Sequence, residues 1–115
     1  MSTAFVVTSK DNPRKFYDSV SKGDVVAYRF DFTPWQDDND TITSVTWTLE
    51  SGQASISGET LISGVADALV SFPQQGRSVI SVLATTATAA KKVFISIEAR
   101  DEALEYTEDG YELTR

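Results

Sequence analysis

Apolar and polar residues alternate in short runs along most of the chain. In Val26-Ala27-Tyr28-Arg29-Phe30-Asp31-Phe32, the rings of Tyr28, Phe30 and Phe32 point to one side. Ala27, Arg29 and Asp31 point to the other, which is the two-residue period of a half-buried strand. Thr33-Pro34-Trp35 ends that run, since proline has no N–H for a ladder. A second run, Ser44 to Leu49, places Val45, Trp47 and Leu49 on an apolar face and Ser44, Thr46 and Thr48 on a polar one. Ile42 is out of phase with it, so the strand carries a bulge or begins after Ile42. Short segments at 54–57 and 60–63 lie between the glycines at 52, 58 and 64. Residues 66–72 alternate around Ala68, Val70 and Phe72, and Pro73-Gln74-Gln75-Gly76 reads as a turn. Two more runs cover 79–86 and 93–99, the latter with Val93, Ile95, Ile97 and Ala99 inward.

About seven short strands with turn signals every 8–12 residues predict an all-β fold, a single immunoglobulin-like antiparallel β-sandwich. No window keeps a helical period. The Ala/Thr-rich stretch 84–92 reads as a strand end and a turn, because its threonines oppose helix. Residues 1–22 read as an N-terminal arm, with a short strand at Phe5-Val6-Val7 and a break at Asn12-Pro13. The sandwich is assigned to 23–100. Residues 101–115 read as an acidic C-terminal tail that is disordered alone, either a solvated terminus or an arm that docks on a partner. Within it Leu104, Tyr106, Tyr111 and Leu113 are spaced among the acids.

Composition narrows the chemistry. The 115 residues contain neither cysteine nor histidine. That excludes disulfides, thiolate nucleophiles and imidazole bases, and leaves only oxygen ligands for a metal. No cofactor site is expected. The formal net charge is −7, which argues against nucleic acid, whose binding rests on Lys and Arg at phosphates. No apolar run reaches the ~18 residues of a membrane span, and the first residues show no secretory signal. The charge is uneven. Residues 1–36 hold five basic and four acidic side chains, and 101–115 hold six acidic and one basic.

One stretch resembles a known family. Phe30-Asp31-Phe32-Thr33-Pro34-Trp35, followed by Asp40-Thr41-Ile42-Thr43-Ser44-Val45-Thr46-Trp47-Thr48-Leu49-Glu50-Ser51-Gly52, is similar to short Ig-like bacteriophage virion proteins described as fiber–tail adaptors. Their hallmark is an acidic residue, a tryptophan, a turn, and an Asp-x-Ile-x-Ser-x-x-Trp strand. The resemblance spans roughly 25–100. It departs from the family at Ser71-Phe72-Pro73-Gln74-Gln75-Gly76, where a Gly-rich strand is usual, and in the length of the acidic tail. It implies a non-enzymatic virion protein, made in the bacterial host cytoplasm, that connects tail fiber to tail. The implied partners are other phage structural proteins of tail, fiber or capsid, with copies arranged in a homo-oligomeric ring or shell. Capsid decoration and a carbohydrate-binding module are the alternative readings.

Candidate sites follow from the same residues. Trp47, mid-strand on the apolar face, is assigned to the core. Trp35 is either rim packing or an interface anchor, a role in which tryptophan is enriched. Asp37, Asp38, Asn39 and Asp40 supply oxygen ligands for calcium, but they lack an EF-hand's spacing and also suit a plain turn. The interface candidates are Trp35, Leu104, Tyr106, Tyr111 and Leu113. No catalytic or metal residues are assigned.

Overall fold

The computed structural model describes residues 2–7, 14–35 and 41–101. The described residues form eight strands and no helix. They are β1 (Ser2–Val6), β2 (Arg14–Ser21), β3 (Val25–Asp31), β4 (Ser44–Ser51), β5 (Ser55–Ile62), β6 (Val65–Ser71), β7 (Gly76–Thr85) and β8 (Ala90–Arg100). Two four-stranded sheets result. Sheet A has the order β1-β3-β6-β5, and sheet B the order β2-β8-β7-β4. The edge strands β1 and β2 pair in parallel with β3 and β8, and the remaining pairs are antiparallel.

Between the sheets lies a core whose two walls differ. Tyr28, Phe30, Phe32 and Phe72 come from sheet A or its strand ends, while Ile80, Val82, Val93, Ile95 and Ile97 come from sheet B. All are fully buried or nearly so. Phe30 is the hub. Its ring lies 5.1 Å from Phe5, 5.5 Å from Phe16 and 5.7 Å from Trp47, touching β1, β2 and β4 at once. Edge-to-face and offset contacts of this kind add to plain burial.

The N-terminal segment differs from the expected arm. Residues 2–6 and 14–21 are strands of the two sheets, so the sandwich begins at β1 and not at residue 23. Phe5 and Phe16 hold them there, with ring centroids 4.7 Å apart. The alternation of β2 is masked in the sequence because Asp18 falls between Phe16 and Val20 on the inward side. Its carboxylate is satisfied inside: the Tyr28 hydroxyl donates to Asp18 Oδ2 over 2.7 Å.

Further details refine the strand reading. The two segments at 54–57 and 60–63 are one strand, β5, whose ladder slips between Ser57 and Thr60 around Gly58. The turn from β5 to β6 is two residues long, with positive φ at Ser63 (50°) and Gly64 (80°), the geometry that matches hairpin twist. Leu49 keeps the inward phase of Trp47, opposite the buried Ile80, but it is only partly covered there. It sits on the edge strand β4, beside the register shift between Leu49 and Ser51. Ile42 is buried ahead of β4, which starts at Ser44.

The turn between β2 and β3 ties the sheets together at one end. Lys22 N–H donates to the Arg100 carbonyl of sheet B (2.7 Å). Gly23 N–H donates to the Phe72 carbonyl at the end of β6 (2.7 Å), and Phe72 N–H returns a bond to the Asp24 carbonyl (3.0 Å).

Candidate interaction surfaces

The outer faces of the two sheets are the large surfaces left once the core is assigned. On sheet A the outward positions are set by the register of β1, β3, β6 and β5. Val6 (56% exposed), Val25 (54%), Leu69 (45%) and Ile62 (69%) all lie there. Val6, Asp31, Val65 and Ile62 form one cross-sheet row. Ala27 and Leu69 pair directly in another, with Val25 in the row beyond. Between these aliphatic rows stands an ion pair, Arg29 Nε to Asp67 Oδ1 at 2.7 Å and Nη2 to Oδ2 at 3.2 Å. The bond to Asp67 and the charges of Asp67 and Asp31 raise the guanidinium pKa further above its already high value.

Each of the four exposed aliphatics belongs to an apolar doublet: Val6-Val7, Val25-Val26, Leu61-Ile62 and Leu69-Val70. In a strand, neighbours point to opposite faces, so a doublet must place one apolar side chain outside. That was the available signal for this surface, and a search for alternation alone passes over it.

The outer face of sheet B has a different texture. Ser81 and Ser96 face outward on β7 and β8, yet they are only 2% and 4% exposed. Longer side chains roof them. The Ser81 hydroxyl donates to Glu50 Oε2 (2.6 Å), and Arg77 Nη1 donates to Ser96 Oγ (2.7 Å). Tyr17 and the half-buried Val79, Leu83 and Phe94 surround them, and Lys92 Nζ lies 5.8 Å from the Phe94 ring centre. Glu98 is shared by Arg77 (3.7 Å) and Arg100 (3.5 Å).

Trp47 is in the core, as its position implied, and its indole N–H has no acceptor among the described residues. Trp35 is half-buried at the rim, packed on the core and edge-on to Phe32 at 6.4 Å. Its N–H donates to the Phe32 carbonyl (3.0 Å) in the turn after β3. Leu104, Tyr106, Tyr111, Leu113 and the run Asp37 to Asp40 lie outside the described residues. No group of three or more metal-ligating side chains occurs among the described residues. The stacking platform of a sugar-binding sandwich is missing where it was sought, since Tyr28, Phe30, Phe32 and Trp47 are all buried.

Residues 21–96 match the family described as Podophage GP4 fiber-tail adaptor protein gp77. The chain belongs to this podophage fiber–tail adaptor family. The match runs from the end of β2 into β8, so it takes in β3 to β7 whole and the first part of β8. No curated protein matches the chain. Among solved structures, the chain is similar to PbICP-C in its complex with falcipain-2, with a TM-score of 0.58 at 10% identity, covering 86% of this chain and 98% of that one. It is also similar to the cysteine protease inhibitor EhICP2 from Entamoeba histolytica (TM-score 0.52, 11% identity, 86% and 97% covered). A third likeness is the PKD domain from KIAA 1837 protein (TM-score 0.50, 16% identity, 84% and 90% covered). At such identities these likenesses speak to fold alone, and the fold is an Ig-like sandwich. The adaptor family is one of phage structural proteins.

Proposed function

We propose that this chain is a non-enzymatic connector of the phage virion that joins tail fiber to tail. The family match over residues 21–96 carries this reading. Its partners are then the tail and fiber subunits beside it, with copies of the chain arranged in a ring. The aliphatic outer face of sheet A, with Val25, Ile62 and Leu69 exposed, is the rigid surface offered to those neighbours. Trp35 at the rim and Leu104, Tyr106, Tyr111 and Leu113 in the tail serve as further anchors. The protein is made in the host cytoplasm and ends in the particle. It needs no cofactor, and neither nucleic acid nor membrane is a partner.

Cryo-electron microscopy of purified virions tests this reading. Density for the sandwich between tail and fibers is the expected result. Density on the capsid lattice would make the chain a decoration protein, and absence from particles would remove the virion role. A paired variant, Ile62→Lys with Leu69→Lys, is expected to fold normally and to be lost from the particle.

A further inference from the structure

The charge on the outer face of sheet B runs against that of the whole chain. The protein carries a net charge of −7. On this face, however, the register places Lys15, Lys92, Arg77 and Arg100 outward, against only Glu50 and Glu98. Lys15 and Lys92 have no carboxylate partner among the described residues. Between these cations runs the apolar strip of Tyr17, Phe94 and Leu83, over the two buried serines.

The chain leaves the sandwich from β8, a central strand of this same sheet, at Arg100 and Asp101. Fourteen residues follow, 102–115. They include five of the six acids counted from Asp101 onward, together with Leu104, Tyr106, Tyr111 and Leu113. Fully extended they reach ~46 Å. The distance back along β8 from Arg100 to Lys92 is ~26 Å, which leaves several residues for the reversal. A segment tethered this way meets its own face at an effective concentration of order mM. A free partner must supply that concentration itself.

We propose that, in the free chain, residues 102–115 fold back over the outer face of sheet B of their own molecule. The four apolar side chains of the segment cover the Tyr17–Phe94–Leu83 strip, and its carboxylates face the cations around that strip. The segment is thus stored on the sandwich before assembly. Storage of the segment is a property of the unassembled chain and is independent of its place in the virion, so either can fail alone.

Nuclear magnetic resonance on the ¹⁵N-labelled full chain at low salt tests it. Order parameters above about 0.6 are expected across 104–113, where free tails fall below that value. The amides of Leu83 and Phe94 are expected to shift in the variant Leu104→Ser with Tyr106→Ser. In Lys15→Glu with Lys92→Glu, whose positions are exposed, the order parameters across 104–113 are expected to fall. Raising salt to about 1 M, where the screening length falls to ~3 Å, is expected to loosen the segment. Order parameters below about 0.6 throughout 102–115, with sheet B amides unmoved by Leu104→Ser and Tyr106→Ser, would overturn the proposal. So would ordering that appears only as protein concentration rises, because the acceptor would then be a second copy.

Discussion

The central strands of the two sheets carry different side chains on both their inner and their outer faces. Sheet A turns its aromatics inward, with Tyr28 and Phe30 on β3, and leaves aliphatics outside at Val6, Val25, Ile62 and Leu69. Sheet B turns aliphatics inward, with Ile80, Val82, Ile95 and Ile97, and covers its outside with a polar network over Ser81 and Ser96. The inner difference is confined to the central strands: the rings of β3 meet Ile80, Val82, Ile95 and Ile97 of β7 and β8, while Phe16 and Trp47 bring two further rings in from the edges of sheet B. The outer difference is one of role. An apolar face with one ion pair keeps its affinity for other surfaces, whereas a roofed serine floor ringed by cations selects by charge.

The inner half of the comparison breaks most severely at Phe30. Because its ring touches Phe5, Phe16 and Trp47, Phe30→Ala removes contacts to both sheets at once. The expected cost is about 3–5 kcal/mol, in the range of large-to-small core changes. Denaturant unfolding measures it. An equal loss from Ile97→Val, which should cost only about 0.5–1.5 kcal/mol, would show that the aromatic hub has no special standing.

Next in size is a backbone contact on sheet B. Gly52 has φ +102°, and a Cβ there would lie 2.6 Å from Ser78 Cα and 2.7 Å from the Arg77 carbonyl oxygen. Both neighbours are backbone of β7 and have little room to yield. Gly52→Ala is expected to cost at least about 1–3 kcal/mol from the conformation alone, with the clash in addition. A Gly52→Ala protein as stable as the parent would mean that the turn after β4 does not press on β7.

How much of this was legible depended on local regularity. β3, β6 and β8 alternate cleanly, and their inward residues, from Tyr28 to Ala99, were assigned correctly from the period alone. β2 was missed because its inward row runs Phe16, Asp18, Val20, and a carboxylate at a core position looks like an error until its partner is known. That partner, Tyr28, lies ten residues on and in the other sheet. β5 was split because a bulge interrupts its ladder at Gly58 and Glu59. The sheet A surface is hidden in the sequence for a related reason. Val25, Ile62 and Leu69 are the off-phase halves of doublets, and only a fixed register shows that they share a face.

The Tyr28–Asp18 bond sharpens the comparison, since it is the polar link between the two inner walls. Burial, the hydrogen bond to Asp18, and the negative charges of Asp18 and Asp24 push the Tyr28 phenol well above its ordinary range. The neutral hydroxyl is therefore the form the fold prefers. Its contribution is fully present below the ordinary tyrosine value near 10, and it is lost as pH climbs from there toward the raised folded value. Tyr28→Phe is expected to cost about 1–3 kcal/mol at neutral pH, the price of leaving a buried acceptor unpaired. It should also flatten the fall in stability above pH 10. Asp18→Asn keeps an acceptor for the hydroxyl and should cost less. Unfolding midpoints from pH 7 to 11 separate the three proteins.

The smallest effect is expected on the outer face of sheet A, and it bears most directly on what that face is for. Arg29 and Asp67 meet through two hydrogen bonds, but Arg29 is largely in water and Asp67 partly so, and exposed ion pairs contribute little to folding. Arg29→Met keeps a long unbranched side chain and removes the charge, so stability should hardly move. What should change is the surface, because three aliphatic rows then become continuous and Asp67 is left without its partner. If the pair sets the register of a neighbouring subunit, Arg29→Met will fold with unaltered stability and be incorporated poorly or in the wrong position. The charge-swapped protein, Arg29→Asp with Asp67→Arg, should fold equally well and fail in the same way. Normal incorporation of both variants would show that the aliphatic rows alone make the contact, and that the ion pair serves only to keep this face soluble before assembly.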